Sequence, residues 1–348
     1  MNSSNRFHFL DSLRGFAVAG ILLVNAADLM YLGYDVPVRP FQAVPLAENV
    51  LNFLVATRFV PIFSFMFGMS MGFVIDSAIR RGAPAWKILL RRLAALLVIG
   101  LLHSILYPGE ILRDYAVVGA ILLPFVLKVP RSVRLVLGLL ATVGVYAFTG
   151  GGALSLPGLF LLGSAAQAYG LPARLEHADR RIGAATLVFA AASAAAIPWQ
   201  AAEGGDPRFF TAGGVAGGLM ACLYVCLLAL LWRTPVRRAL SAVFEPLGRM
   251  ALTCYVTASF VMVPAGVLLD SRSTQDVIPG LIVAAAVLPL QWVFCRLWLS
   301  RFAYGPLEWA WRCVTWWRWV PLRRQQSQQS DNQLSPYRYA RLPTTGVM

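Results

Sequence analysis

Ten apolar runs succeed one another along the chain, at about 9–30, 53–76, 88–107, 115–128, 133–149, 154–170, 182–200, 211–232, 247–269 and 277–299. A bilayer core about 30 Å thick takes roughly 20 residues of helix, and a helix satisfies its own backbone where no water can. The expected fold is therefore an all-α integral membrane protein, a polytopic bundle of about ten transmembrane helices. The fourth run is short and reads as a kinked or partial span. Composition points the same way. The chain is 58% hydrophobic and 13% charged, with a mean hydropathy of +0.65, and a soluble domain cannot bury that much apolar surface.

Charge orients the bundle. Alternate loops are basic, carrying Arg80, Arg81, Lys87, Arg91 and Arg92; Lys128, Arg131 and Arg134; Arg174, Arg180 and Arg181; then Arg233, Arg237, Arg238 and Arg249. The loops between hold only Arg39, Arg113, Arg208 and Arg272, with several acids. By the positive-inside rule both termini are expected to be cytoplasmic. The net charge of +14 is thus spread over short loops, the pattern of a membrane protein and not of a nucleic-acid-binding surface. A cleaved signal peptide around Val24-Asn25-Ala26 fits poorly, because many spans follow. Beyond residue 300, Trp309, Trp311, Trp316, Trp317 and Trp319 mix with Arg312, Arg318, Arg323 and Arg324. Such a segment suits the cytoplasmic interface, its arginines on anionic lipid. The tail from Gln325 is polar and expected to be disordered.

The first run carries more than apolar side chains. At about 100° per residue, Arg14 and Asn25 fall within roughly 20° of each other, and Asp11 and Asp28 within roughly 60° of that line. A polar stripe down a membrane helix normally faces a bundle interior or wet cavity. The plainer alternative is that Asp11 and Arg14 flank the membrane as an i,i+3 pair. Gly68 and Gly72 in FGMSMG, and Gly213, Gly214, Gly217 and Gly218 in GGVAGG, have the small-residue spacing that lets membrane helices approach closely.

The five cysteines have no His or second Cys pair in metal-ligand spacing, so reduced thiols and no metal are expected. Of the three histidines, His103 alone lies within an apolar run. Counting inward from the outer helix ends, Asn25, Arg58 and His103 each lie roughly 7–9 Å outside the bilayer centre. Three polar side chains at one depth, from three consecutive helices, point to a single site. Glu110, Arg113 and Asp114 fill the short loop after His103; a carboxylate there would fix the imidazole tautomer and raise its basicity. Asn25 suits an oxyanion, and Arg58 an anionic ligand group. Arg113 and Asp114 read better as a solvated pair. Ser12, Ser64, Ser70 and Ser104 are in no nucleophile-elbow context.

These residues carry a resemblance. Asp11-Ser-Leu-Arg14-Gly-Phe followed by Leu-Leu-Val-Asn25 resembles the opening of the bacterial YeiB-like membrane family, domain of unknown function 418. Phe63-Ser-Phe-Met-Phe-Gly68, Gly100-Leu-Leu-His103 and Glu110-Ile-Leu with Tyr115-Ala continue it. So do Leu247-Gly-Arg249-Met-Ala-Leu-Thr253 and Tyr304-Gly-Pro306-Leu-Glu308-Trp309. Two departures stand out: Cys254 replaces a frequent Asn, and Glu110 replaces the usual Asp. The family is in turn distantly similar to the heparan-α-glucosaminide N-acetyltransferases, through Asp11, Arg14, Gly15, Val24 and Asn25. The resemblance implies a transmembrane half at 1–150 holding the polar site, a YeiB-like transmembrane half at 151–315 and a cytoplasmic tail at 316–348. It also implies the cytoplasmic (inner) membrane of a bacterium.

The function so implied is a transmembrane acyltransferase. It would move an acyl group, acetyl in the first instance, from cytoplasmic acyl-CoA to an acceptor at the outer side. His103, Asn25 and Glu110 are the expected catalytic set. Asp11, Arg14, Asp28 and Arg58 are the expected substrate-binding set, with Arg14 and the loop arginines meeting the phosphates of the donor. Acyl-CoA is a substrate here; no metal is called for. The expected partners are the small-molecule donor and acceptor, membrane lipids and a second copy in a homodimer, with no nucleic acid. A transporter or exporter using the same polar layer is the alternative, and a membrane scaffold a third. Paired broken helices would favour transport.

Overall fold

The computed structural model of the chain describes residues 6–37, 44–177 and 179–323; Arg39, Arg324 and the polar tail from Gln325 lie outside the described residues. Fourteen helices follow in order: α1 (His8–Leu29), α2 (Leu46–Leu54), α3 (Phe59–Ile79), α4 (Ala85–His103), α5 (Leu112–Lys128), α6 (Arg131–Thr149), α7 (Leu156–Ala168), α8 (Leu171–His177), α9 (Arg180–Glu203), α10 (Thr211–Leu231), α11 (Arg237–Arg249), α12 (Ala251–Leu268), α13 (Ile278–Arg301) and α14 (Pro306–Trp316). The described residues form no β-strand.

Each apolar run of the sequence falls on a helix, and seven segments are long and apolar enough to cross a membrane: α1, α2 with α3, α6, α9, α10, α12 and α13. The pair α7–α8 and its preceding turn, bent by 73°, makes an eighth if it acts as one span. Two of the ten expected spans fall short. α4 carries Lys87, Arg91 and Arg92 in its first half, and α5 is 17 residues long with Arg113, Asp114 and Lys128 near its ends. Outward faces are apolar, as a lipid-facing surface requires. On α6, Leu140, Val143 and Phe148 are 67%, 63% and 86% exposed.

Local chemistry sets the boundaries. Pro130 precedes α6, Pro306 opens α14, and Gly150 ends α6 at φ 73°, a left-handed turn that glycine adopts without Cβ strain. Two further differences from the apolar runs appear. The run at 247–269 is cut at Met250, because residues 247–249 belong to amphipathic α11, which packs on the start of α1. Gly15 and Gly248 allow that crossing: a Cβ at Gly15 would strike the Phe244 carbonyl, and one at Gly248 the Asp11 carbonyl. α3 and α7 meet the same way, with Gly68 against Phe160 and Gly163 against Phe65. In α10, Gly214 lies against Gly150 and Gly217 against Thr57, so FGMSMG and GGVAGG both sit at close helix contacts.

The second difference is a break at 55–58 in the run at 53–76, where Thr57 takes φ 65°. A broken helix inside a membrane must find partners for the carbonyls it frees. Here Asn52 O accepts from Gln200 Nε2 at 3.0 Å, Leu54 O from the Tyr224 hydroxyl at 2.9 Å and Ala56 O from Arg58 Nη1 at 2.6 Å. The break is closed by side chains.

Contacts sort the loops into two ends. At one end Asp28 pairs with Arg208, Asp35 with Arg272, and the Tyr31 hydroxyl donates to Leu106 O. At the other end Arg6 and His8 meet Glu245, Phe9 N and Trp232 meet Glu176, and Arg131 stacks on Tyr169. The basic loops thus share one end. α14 joins them, placing Trp311 against Arg92 and Trp316 against Arg81, while Trp317 and Trp319 stay exposed.

Candidate functional site

The site is built where α4 stops. His103 is the last residue of α4, and the chain turns there because Tyr107 N donates to His103 O at 2.9 Å. Gly100 makes the return possible: a Cβ there would sit 2.6 Å from Arg113 N. The turn ends at Glu110, just before α5. One carboxylate oxygen of Glu110 accepts from Leu112 N in the first turn of α5, where amides lack helical partners. The other oxygen meets His103 Nδ1. A carboxylate at Nδ1 keeps the proton on that nitrogen, which leaves Nε2 of a neutral imidazole as acceptor. What Nε2 faces is Ser259 Oγ, at 2.8 Å, from the middle of α12.

These three groups are buried, with His103 4% exposed, Glu110 2% and Ser259 1%. Tyr255, one helical turn before Ser259, closes the other side, its ring 5.4 Å from the imidazole and 65° to it. Burial of this kind requires every polar group to be bonded, and the chain Glu110–His103–Ser259 meets that requirement by joining three helices.

Ser259 also lines a narrow cavity of about 10 Å³, whose walls include Asn25, Tyr107, Tyr255 and Gln291, room for one water-sized guest. Asn25 comes from α1, and no described residue bonds its side-chain amide. Gln291 is tied back to Cys254 O at 2.8 Å. His103 and Glu110, at the two ends of one short turn, meet directly, Asn25 shares the cavity wall with Ser259, and Ser259 is the residue that sequence reasoning missed. It lies 156 positions from His103, in a stretch of serine, threonine and alanine with no motif, so no local signal points to it.

The four residues expected to bind substrate lie elsewhere. The depth argument grouped Arg58 with Asn25 and His103; the structure separates them. Arg58 is 0% exposed, and its guanidinium lies on Gln200 Oε1 at 2.7 Å, Ala56 O and Thr57. Depth along the membrane normal says nothing of which way a helix face points. Asp11 and Arg14 sit at the basic end as an i,i+3 pair at 3.3 Å, with Arg6 closing on Asp11 at 2.6 Å. At 1.5 Å per residue, Arg14 is about 16 Å from the level of Asn25, so the polar stripe of α1 serves two ends and not one site. Asp28, one turn beyond Asn25, is engaged by Arg208. Burial alone would lower the Arg208 pKa, but its bonds to Asp206 and Asp28 outweigh this and raise it. Arg113 and Asp114 form an exposed pair at 3.3 Å.

Cys254 and Cys295 lie 3.4 Å apart, sulfur to sulfur, as buried free thiols. No group of three or more metal-ligating side chains occurs among the described residues.

Comparison with known proteins places the chain in a family. The family described as "Protein of unknown function (DUF418)" matches residues 169–318, the segment that contributes Ser259. An "Uncharacterized 39.9 kDa protein in amylase 3'region" of Bacillus acidopullulyticus is 31% identical, over 91% of this chain and 96% of the relative. The "Uncharacterized protein YxaH" of Bacillus subtilis (strain 168) is 29% identical, over 93% of this chain and 97% of the relative. With such likeness along nearly its whole length, the chain belongs to the DUF418 family of helical, membrane-type proteins.

Proposed function

We propose that this protein is an integral-membrane acyltransferase, and that its reaction centre is the His103 site. The observation that carries this reading is the imidazole held between the Glu110 carboxylate and the Ser259 hydroxyl, beside a cavity faced by Asn25. A neutral imidazole whose Nδ1 is held by a carboxylate, leaving Nε2 free to accept, is the arrangement that takes a proton from a hydroxyl or amine as it attacks a carbonyl. An amide donor across the cavity suits the oxyanion that then develops.

In this reading α4 and α5 also cross the membrane, and the bent pair α7–α8 counts as one span, giving ten crossings. The basic end, with both termini, faces the cytoplasm by the positive-inside rule, and the membrane is the cytoplasmic membrane of a bacterium. Acyl-CoA meets Arg14 and the loop arginines at that end, while the acceptor approaches from the other. The distant similarity of the YeiB-like family to the heparan-α-glucosaminide N-acetyltransferases supports the same reaction class.

The test is thermal stability of the purified protein in detergent against a panel of acyl-CoAs, with wild type, His103→Ala and Arg14→Ala in parallel. A ligand at about 100 times its Kd stabilises by about 2.7 kcal/mol. Saturable stabilisation that weakens in Arg14→Ala supports donor binding. No shift with any acyl-CoA in folded protein overturns the reading.

One observation favours a second reading, a transporter for an anionic solute. Arg58 is fully buried at a helix break, makes no ion pair with a described carboxylate, and leaves its Nε without a hydrogen-bond partner. Broken helices beside a charge mark the substrate sites of many transporters. Uptake or efflux in proteoliposomes that follows an ion gradient without any acyl donor decides for it.

A further inference from the structure

We infer that Ser259 is a nucleophile and carries the acyl group as an ester between donor and acceptor; this rests on the acyl-transfer reading above. A serine or threonine in a helix or at its end commonly bonds back to the carbonyl three or four residues earlier. Thr257 does so to Thr253 O at 2.7 Å, Ser64 to Val60 O at 2.8 Å, and Ser104 to Gly100 O at 2.8 Å. Ser259, on the same helix as Thr257, turns instead to His103 Nε2.

That choice completes a carboxylate–imidazole–hydroxyl chain. Glu110 holds Nδ1, which frees Nε2 to take the proton of the Ser259 hydroxyl it faces, and Ser259 lines the cavity that Asn25 also lines. The constellation is recognised by geometry and roles, whatever the order of its members in the chain. Since the cavity is only about 10 Å³, an acyl group enters as the walls from α1, α12 and α13 part.

The chemistry balances in two steps. Ser259 Oγ attacks the thioester carbonyl and gives its proton to His103 Nε2. The C–S bond breaks, the thiolate leaves with that proton as free CoA, and Ser259 is left as an acyl ester. The acceptor hydroxyl or amine then gives its proton to His103 Nε2 and attacks the ester. The C–O bond breaks, and Ser259 Oγ recovers the proton. Nothing is oxidised or reduced.

The test uses the full chain in detergent and two serine-directed probes, a short-chain alkyl fluorophosphonate and methanesulfonyl fluoride, with adducts mapped by mass spectrometry. The expected result is a single adduct on Ser259, absent from Ser259→Ala and formed at least about tenfold more slowly in His103→Ala. As a check independent of how well Ser259→Ala folds, Ser259→Cys is run with acetyl-CoA. It is expected to gain an acetyl thioester at that position, released by neutral hydroxylamine. No adduct with either probe in protein that melts cooperatively overturns the inference. So does acetyl transfer that survives in Ser259→Ala while lost in His103→Ala, which leaves the acyltransferase reading standing. An adduct on Ser259 in protein that no acyl-CoA stabilises has the opposite meaning: the nucleophile stands and acyl-CoA falls as its donor.

Discussion

His103 and Ser259, 156 positions apart in the chain, meet at 2.8 Å between Nε2 and Oγ, and behind the imidazole stands Glu110. The contact ties the end of α4 to the middle of α12, so one imidazole links the amino-terminal and carboxyl-terminal halves. Its members differ in what their loss exposes.

Removing His103 leaves the Glu110 carboxylate buried with its main partner gone. A buried charged acceptor left without its partner costs about 1–3 kcal/mol or more, whereas Ser259→Ala gives up one hydrogen bond, about 1 kcal/mol. His103→Ala is therefore expected to unfold well before Ser259→Ala, and His103→Ala/Glu110→Gln to recover part of the loss. Denaturant unfolding in detergent ranks the variants; a His103→Ala protein as stable as wild type contradicts a buried carboxylate that depends on the imidazole.

Glu110 acts through His103, as a positioning residue. Glu110→Asp keeps a carboxylate, and is expected to retain most of the acyl transfer. Glu110→Gln is expected to lower kcat about a hundredfold or more, because the amide no longer fixes the productive tautomer. The pH–rate profile separates this from a packing defect: Glu110→Gln shifts the acid limb, where the base is lost to protonation, while a merely loosened fold lowers the whole curve without moving it.

Arg58 closes the helix break, so Arg58→Met should destabilise by leaving the Ala56 carbonyl with the Thr57 hydroxyl alone and by orphaning Gln200 Oε1. About 2–4 kcal/mol is expected, with Arg58→Lys between the two. If melting is unchanged while solute-dependent stabilisation disappears, the guanidinium serves a ligand instead.

Close helix crossings make the glycines unequal. Gly15→Val and Gly248→Val are expected to prevent assembly, since each Cβ would land on a backbone carbonyl of the facing helix. Gly183, in α9, has nothing within 4 Å of such a Cβ, and Gly183→Ala is expected to be neutral or to stabilise by up to about 1 kcal/mol. Yield of monodisperse protein after membrane extraction distinguishes them.

Glu308, on α14, accepts from Leu252 N at 2.7 Å, Thr253 N at 3.0 Å and Thr253 Oγ1 at 2.6 Å, at the start of α12. Burial lifts its carboxyl above the ordinary value of 4.5, against the lowering by these bonds. Between that value and the raised one, the folded protein holds a proton that the unfolded chain has lost. The unfolded state binds fewer protons, so stability falls as pH rises through this window. The contribution favouring the fold is complete below 4.5 and gone above the raised value. Glu308→Gln removes it, and its melting temperature should depend less on pH between about 4 and 7; equal slopes refute the argument.

Much of the site was legible locally. His103 drew notice as a histidine in an apolar run, Glu110 as a carboxylate within reach of a short turn, and Asn25 as an amide on a membrane helix. Each signal is a departure from local hydropathy, which a membrane makes costly and therefore visible. Arg58 gave the same signal and led to the wrong neighbours, because a helix break turned it toward α9 and α10. Ser259 gave none, since a serine can satisfy itself in a helix by bonding backward and so carries no local cost.

By itself, then, the sequence determined that this chain is helical, that apolar segments suited to a membrane alternate with loops of opposed charge, and which polar side chains lie deep among them. Those properties follow from side-chain transfer energies taken segment by segment. Only the tertiary structure decided that His103 and Glu110 meet Ser259, that Arg58 closes a broken helix, and that α11 parts from α12 to cross α1. Partners so far apart in the chain depend on how each helix is rotated and where glycines let backbones touch, and that is settled by packing all the helices at once.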